Sequence, residues 1–267
     1  MPELSLIHAF AKYQTQRGLS RKTIARRNVS LRQFARVIHP LTITEATPDL
    51  IEEWLGQHQS PATRRSYRAD LNAFYTWARR RGVCDNPVDR TEAIRVPRTL
   101  PRPVPPSYLP SILAAAEPDV RIMIALAAYA GLRCAEIAAL HHGDIDLLSD
   151  APTIAVRSGK GCKDRIVPVH PDLAALLATV PPGPVVHVNA QTVGVKVAAH
   201  MRSLGINATC HKLRHSFGSE LARAADGNII LVATLMGHES IDTSMRYIGW
   251  AGGPGATAVS QMYPKAA

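Results

Sequence analysis

Five prolines stand within ten residues, Pro97-Arg98-Thr99-Leu100-Pro101-Arg102-Pro103-Val104-Pro105-Pro106. Proline has no backbone N–H to give a helix or a sheet interior, and its ring fixes φ. The run therefore reads as an extended, semi-rigid spacer. It divides the 267 residues into a first part, 1–96, a linker, 97–106, and a second part, 107–267. Hydrophobic residues make up 46% of the chain, enough to bury a core in each part. The start, Met1-Pro2-Glu3-Leu4, lacks a basic segment followed by a long apolar run, and the most apolar helical stretch, Ile122 to Ala130, is too short to cross a bilayer. The expectation is a cytoplasmic protein with no membrane partner.

The first part reads as helix throughout. Ser20 caps a helix with Ile24, Leu31, Phe34 and Ile38 on one face. Thr47-Pro48 opens another, with Ile51, Trp54 and Leu55 inward, and Ser60-Pro61 a third. In this last helix Tyr67, Leu71, Phe74 and Ala78 form an apolar stripe. Arg64, Arg68, Asn72, Tyr75 and Arg79 form a second stripe about 90° round the wheel. Charge is concentrated here: residues 1–100 hold 17 Lys and Arg against nine Asp and Glu, whereas 101–267 hold 14 against 12. A basic face that follows a polyanion is the functional reading, with Arg64, Arg65, Arg68 and Arg79 as candidate DNA contacts; a solvated Arg-rich surface is the alternative.

The second part mixes helices with a short β-hairpin. Asp119 to Ala130 reads as a helix ended by Gly131, and Ala135 to Leu140 as another. Thr153 to Ser158 and Arg165 to Val169 read as strands joined across Gly159-Lys160-Gly161-Cys162-Lys163. Helices resume over Asp172–Ala178 and Val193–Ser203 and fill 211–247. The fold class is mainly α with a small β-hairpin or sheet. Cys84, Cys134, Cys162 and Cys210 form no Cys-x-x-Cys pair and are widely spaced, which predicts four reduced thiols of minor structural weight.

Six residues of the second part suggest chemistry: Arg133 after the helix-ending glycine, Lys160 at the hairpin tip, His211 and Arg214 three apart on one helix face, His238 after Gly237, and Tyr247. They form a cationic set with no paired carboxylates, suited to a phosphate in a transition state and unsuited to glycoside or peptide hydrolysis. His211 and His215 lie four apart as metal ligands on a helix do, but no His-Glu-x-x-His pattern accompanies them. No metal and no cofactor are expected.

Order and spacing carry a resemblance. Gly131-Leu132-Arg133-Cys134-Ala135-Glu136-Ile137, the Lys160 hairpin, His211-Lys212-Leu213-Arg214-His215, Leu235-Met236-Gly237-His238 and Thr243-Ser244-Met245-Arg246-Tyr247 resemble, in sequence order, the segments of the tyrosine recombinase or phage integrase family. Ala135 departs from the family's usual Ser, and Ile248-Gly249 from its frequent His. The resemblance implies a helical core-binding bundle over 1–96 and an α+β catalytic domain with a C-terminal tail over 107–267. It implies Tyr247 as nucleophile, Arg133, Arg214 and His238 on the phosphate, Lys160 as general acid and His211 as base. Double-stranded DNA is the implied partner, with a tetramer on synapsed DNA and an accessory directionality factor. The state of the free protein, a monomer included, is left open. With the core-type helices beginning near Leu4, the chain reads as a small integrase without an arm-binding domain. The alternatives are a Xer-like resolvase of replicon dimers, a DNA-binding module with a dead site, and a metal-dependent hydrolase.

Overall fold

The computed structural model describes residues 2–97, 103–157, 164–226 and 228–237. Two compact units emerge, 1–98 and 99–267, each with its own apolar core.

Among its described residues unit one holds four α-helices: α1 (Pro2–Gln16), α2 (Arg21–Ile38), α3 (Pro48–Gly56) and α4 (Pro61–Arg80). The expected caps are present. Ser20 accepts from the Thr23 N–H, Thr47 from Leu50 and Ser60 from Thr63, with Pro48 and Pro61 in the first turns, where a missing N–H is harmless. Leu31, Phe34, Ile51, Leu71 and Phe74 are fully buried, and Phe10 packs edge-on to Phe74 at a centroid distance of 5.5 Å.

A buried carboxylate ties α2 to α4. Asp70 accepts from Arg26 Nη1 at 2.7 Å and Ser30 Oγ at 2.8 Å, with Arg27 Nε at 3.5 Å. Asp70 is buried but Arg26 is 46% exposed and can turn to water, so Asp70→Ala strands chiefly Ser30 and part of Arg27 and should lower the stability of this unit by about 1–2 kcal/mol in chemical denaturation. An unchanged midpoint would mean that the pair contributes nothing net.

The stripe expected to meet phosphates is in large part a packing seam. Tyr75 is fully buried and donates to the Ile43 carbonyl at 2.7 Å. Asn72 accepts from Asn86 at 2.8 Å. Arg68 donates through Nε to Thr91 Oγ1 at 2.8 Å and through Nη2 to the Val88 and Thr91 carbonyls, each at 3.0 Å. The cause is geometric: a stripe bordering the apolar face lies where the 86–91 segment packs. Arg79 is exposed and pairs with Asp89 at 2.6 Å, Arg64 is half-buried, and Arg65 is exposed.

Unit two contains α5 (Leu109–Ala114), α6 (Pro118–Tyr129), α7 (Cys134–Ala139), strands β1 (Ile145–Asp146), β2 (Thr153–Val156) and β3 (Arg165–Pro168), then α8 (Pro171–Leu177), α9 (Ala190–Ser203), α10 (Cys210–Ala224) and α11 (Ile229–Met236). The mainly helical class with a small sheet holds, and the sheet is antiparallel in the order β1-β2-β3. β1 is an added strand that the sequence pattern did not reveal. The helices expected over 211–247 are two among the described residues: α10 ends at Ala224, α11 starts at Ile229 behind an Asn228 cap, and 238–247 lie outside the described residues. α6 runs through the core with Met123 to Ala127 all buried. Part of the proline-rich run belongs to this unit: Val104 is buried in its core, and its N–H donates to Ser216 Oγ at 2.8 Å.

Candidate active site

Gly131 sets the position of Arg133. Its φ of +63° is a left-handed turn that glycine enters without penalty, and a Cβ there would overlap the Phe217 ring. The chain therefore turns sharply out of α6, and Arg133 becomes the N-cap of α7.

One buried carboxylate organises the site. Glu136, three residues into α7, accepts the Arg133 backbone N–H at 2.8 Å and Arg133 Nη1 at 2.7 Å. Arg165 of β3 reaches both its oxygens in a two-pronged bond, 2.9 Å each. Arg214 of α10 stands 3.7 Å away. Burial alone would raise the Glu136 carboxyl. The Arg165 hydrogen bonds and the Arg133 N–H outweigh it and hold the group at about 2. Among the described residues, three guanidiniums surround this one carboxylate, an excess of positive charge.

The same arginines hold the end of α11. Arg133 Nη2 donates to the Gly237 carbonyl at 2.9 Å and Arg165 Nε to the Leu235 carbonyl at 2.8 Å; Arg214 donates to the Met236 and Gly131 carbonyls. Gly237 has φ +58°, and a Cβ on it would stand 3.0 Å from Arg165 Nη1. Arg133 has 39% of its side chain exposed, whereas Arg214 has 3%.

His211 lies one turn before Arg214 on α10, with one edge in solvent and its ring 4.3 Å from that of His215, edge to face. Burial of the rest of the ring, then Arg214 and Arg133, push its pKa below 6.5. It is therefore neutral at pH 7 and able to accept a proton.

Arg133, His211 and Arg214 are thus brought together. Lys160, His238 and Tyr247 lie outside the described residues. Glu136 and Arg165 sit inside the quoted motifs, but motif order alone assigned them no role. A Glu three residues after a helix-starting residue was the available signal for the first, since that is the capping position. Among the described residues, Cys84, Cys134 and Cys210 carry no disulfide.

Residues 104–251 match the family model described as Phage integrase family. The chain belongs to the phage integrase family. Among curated relatives, tyrosine recombinase XerA of Pyrococcus horikoshii is 26% identical over 259 residues, 91% of this chain and 88% of that protein. The integrase of transposon Tn1549, solved with a circular intermediate DNA, aligns over 97% of this chain and 99% of that one at TM-score 0.77 and 17% identity. A lambda integrase tetramer bound to a Holliday junction aligns over 88% of this chain and 77% of that one, at TM-score 0.69 and 18% identity. These two solved structures bear on fold alone.

Proposed function

We propose that this phage integrase family member is a tyrosine site-specific recombinase that cleaves and rejoins double-stranded DNA. The carrying observation is the carboxylate-braced cluster of Arg133, Arg165 and Arg214, a preorganised positive site beside a neutral His211. The Tyr247 oxygen attacks a phosphodiester phosphorus, forming a 3′-phosphotyrosyl bond and releasing a 5′-hydroxyl. The reverse attack by a 5′-hydroxyl reseals the strand, so no ATP is consumed. Arg133 and Arg214 clamp the non-bridging oxygens, exchanging the Gly237 and Met236 carbonyls for phosphate. His238 adds a hydrogen bond, Lys160 protonates the leaving oxygen, and His211 accepts the tyrosine proton.

Unit one supplies binding through its basic surface, with Arg65 and Arg79 the exposed members of the four candidate arginines on α4. Affinity should fall steeply with salt. Four protomers on two duplexes make the synapse; the lambda integrase neighbour is itself a tetramer, bound to a Holliday junction. An accessory factor sets direction where the reaction is an integration.

The test is incubation with a nicked suicide duplex carrying the recombination site, followed by denaturing electrophoresis. A covalent protein–DNA band that survives denaturation is expected, and its absence with saturating DNA would sink the reading. Two duties fit this chemistry. Integration and excision of a mobile element is the first; resolution of replicon dimers is the second, supported by the Pyrococcus horikoshii relative named XerA. Cleavage of DNA flanking the chain's own gene, against cleavage of a replicon's terminus region, separates them.

The lowered pKa of His211 makes a pH prediction. The neutral, proton-accepting form persists as pH falls until below 6.5. Cleavage should therefore hold down to that pH and decline beneath it, with the decline absent in His211→Gln. An acid limb above pH 6.5 that His211→Gln removes would contradict the assignment.

A further inference from the structure

Within Pro103-Val104-Pro105-Pro106 only Val104 carries a backbone N–H, because proline has none. That single donor goes to the helix of the candidate site: it reaches Ser216 Oγ, on α10, at 2.8 Å. The hydroxyl stands 3.1 Å from the Val104 carbonyl oxygen and 3.1 Å from that of Lys212, one turn back, and donates its one hydrogen between them. One side chain thus meets both backbone polar groups of a proline-flanked residue. Val104 is buried, so its N–H has no water to turn to if the hydroxyl is removed.

Past Val104 the proline-rich strap and α10 separate. A cavity of about 390 Å³ is lined by Pro105, Pro106 and Leu109 from the strap side and by Phe217 and Leu221 of α10. Packing leaves the two incompletely joined there, so the Ser216–Val104 pair sets their spacing. Its place on α10 gives that pair its reach. Arg214, two residues before Ser216, donates to the Gly131 carbonyl. Phe217, the next residue, has its ring where a Cβ on Gly131 would stand. A shift of α10 against the strap therefore moves Arg214 and Phe217 together against the turn that aims Arg133.

We propose that Ser216 is a positioning residue for DNA cleavage. By holding Val104 it fixes α10, and with it His211 and Arg214, against the Gly131 turn. It touches no substrate atom and acts through the helix; small misplacements of reacting groups are costly in rate. The role in cleavage rests on the recombinase reading, whereas the bond to Val104 does not.

The test compares the full chain as wild type, Ser216→Ala and Ser216→Thr. Alanine removes the hydroxyl. Threonine keeps it, and the cavity that Ser216 borders has room for the added methyl. Capture of the suicide duplex at saturating DNA should slow about tenfold in Ser216→Ala, with gel-shift affinity within about twofold of wild type, and Ser216→Thr should recover most of the rate. Assays well below each chain's denaturation midpoint keep loss of folded protein out of the comparison. Hydrogen exchange on the free chains reads the bond itself, since Val104 has the only amide hydrogen in 103–106. That amide should be protected in wild type and Ser216→Thr and fast in Ser216→Ala. A wild-type cleavage rate in folded Ser216→Ala would overturn the proposal. So would equal losses in Ser216→Ala and Ser216→Thr, a fall confined to DNA affinity, or an unprotected Val104 amide in the wild type. A wild-type chain that captures no duplex under any condition, with Val104 protected, faults the recombinase reading and the cleavage role together and leaves the bond standing.

Discussion

The Tyr247→Phe chain is expected to bind its DNA site as tightly as the wild type and to form no covalent complex with it. Phenylalanine keeps the ring and removes only the oxygen, so packing and charge are unchanged. The nucleophile itself is gone, and neighbouring groups do not substitute for it; losses on the order of 10⁵-fold or more follow removal of a covalent nucleophile. The ordinary phenol pKa of about 10 also explains why the rest of the set must be cationic. An uncharged pocket would leave the proton on the oxygen, whereas the excess of guanidiniums over carboxylate around Glu136 favours its departure. Gel-shift affinity and suicide-duplex capture, measured on one preparation, separate binding from chemistry. A covalent band from Tyr247→Phe would move the nucleophile to Tyr263, the remaining tyrosine of the tail.

Local signals in this chain proved readable and distant ones did not. Ser20, Thr47 and Ser60 cap the helices that their sequence contexts announce, because a cap is decided by three or four neighbouring residues. Gly131 ends α6 for a similarly local reason. The carbonyl partners of Arg68 at Val88 and Thr91 lie beyond the helix, and nothing in a helical wheel reports them. β3 shows the same limit more sharply. Hydropathy would turn Ile166 inward and Arg165 outward, yet Ile166 is 64% exposed and Arg165 is 7%. The inversion follows from Glu136, 29 residues earlier, which rewards an inward guanidinium and is invisible to strand periodicity. In the candidate site, motif order found Arg133, His211 and Arg214 but passed over the carboxylate that holds two of them.

That carboxylate supports the second large effect. Glu136→Gln should destabilise the chain by about 3 kcal/mol at pH 7 and slow cleavage on the order of 10²-fold. Gln matches the shape but loses the charge, leaving three guanidiniums, two of them buried, facing one another. Its amide nitrogen would also point a donor at donors, so at least one Arg165 or Arg133 hydrogen bond has no acceptor. The depressed carboxyl points to an energy of the same order. A carboxyl held at about 2 instead of 4.5 contributes roughly 3 kcal/mol to folding. Because the folded value is depressed, that contribution is complete above pH 4.5 and is lost as pH falls through 4.5 toward 2. Wild type and Glu136→Gln should therefore differ most at neutral pH and converge in acid. Denaturation midpoints taken across that window test the point directly. A difference independent of pH would mean that Glu136 acts through shape alone. Partial recovery of cleavage by Glu136→Asp, with the charge kept and the reach shortened, would place its effect on the rate in how it aims Arg133 and Arg214.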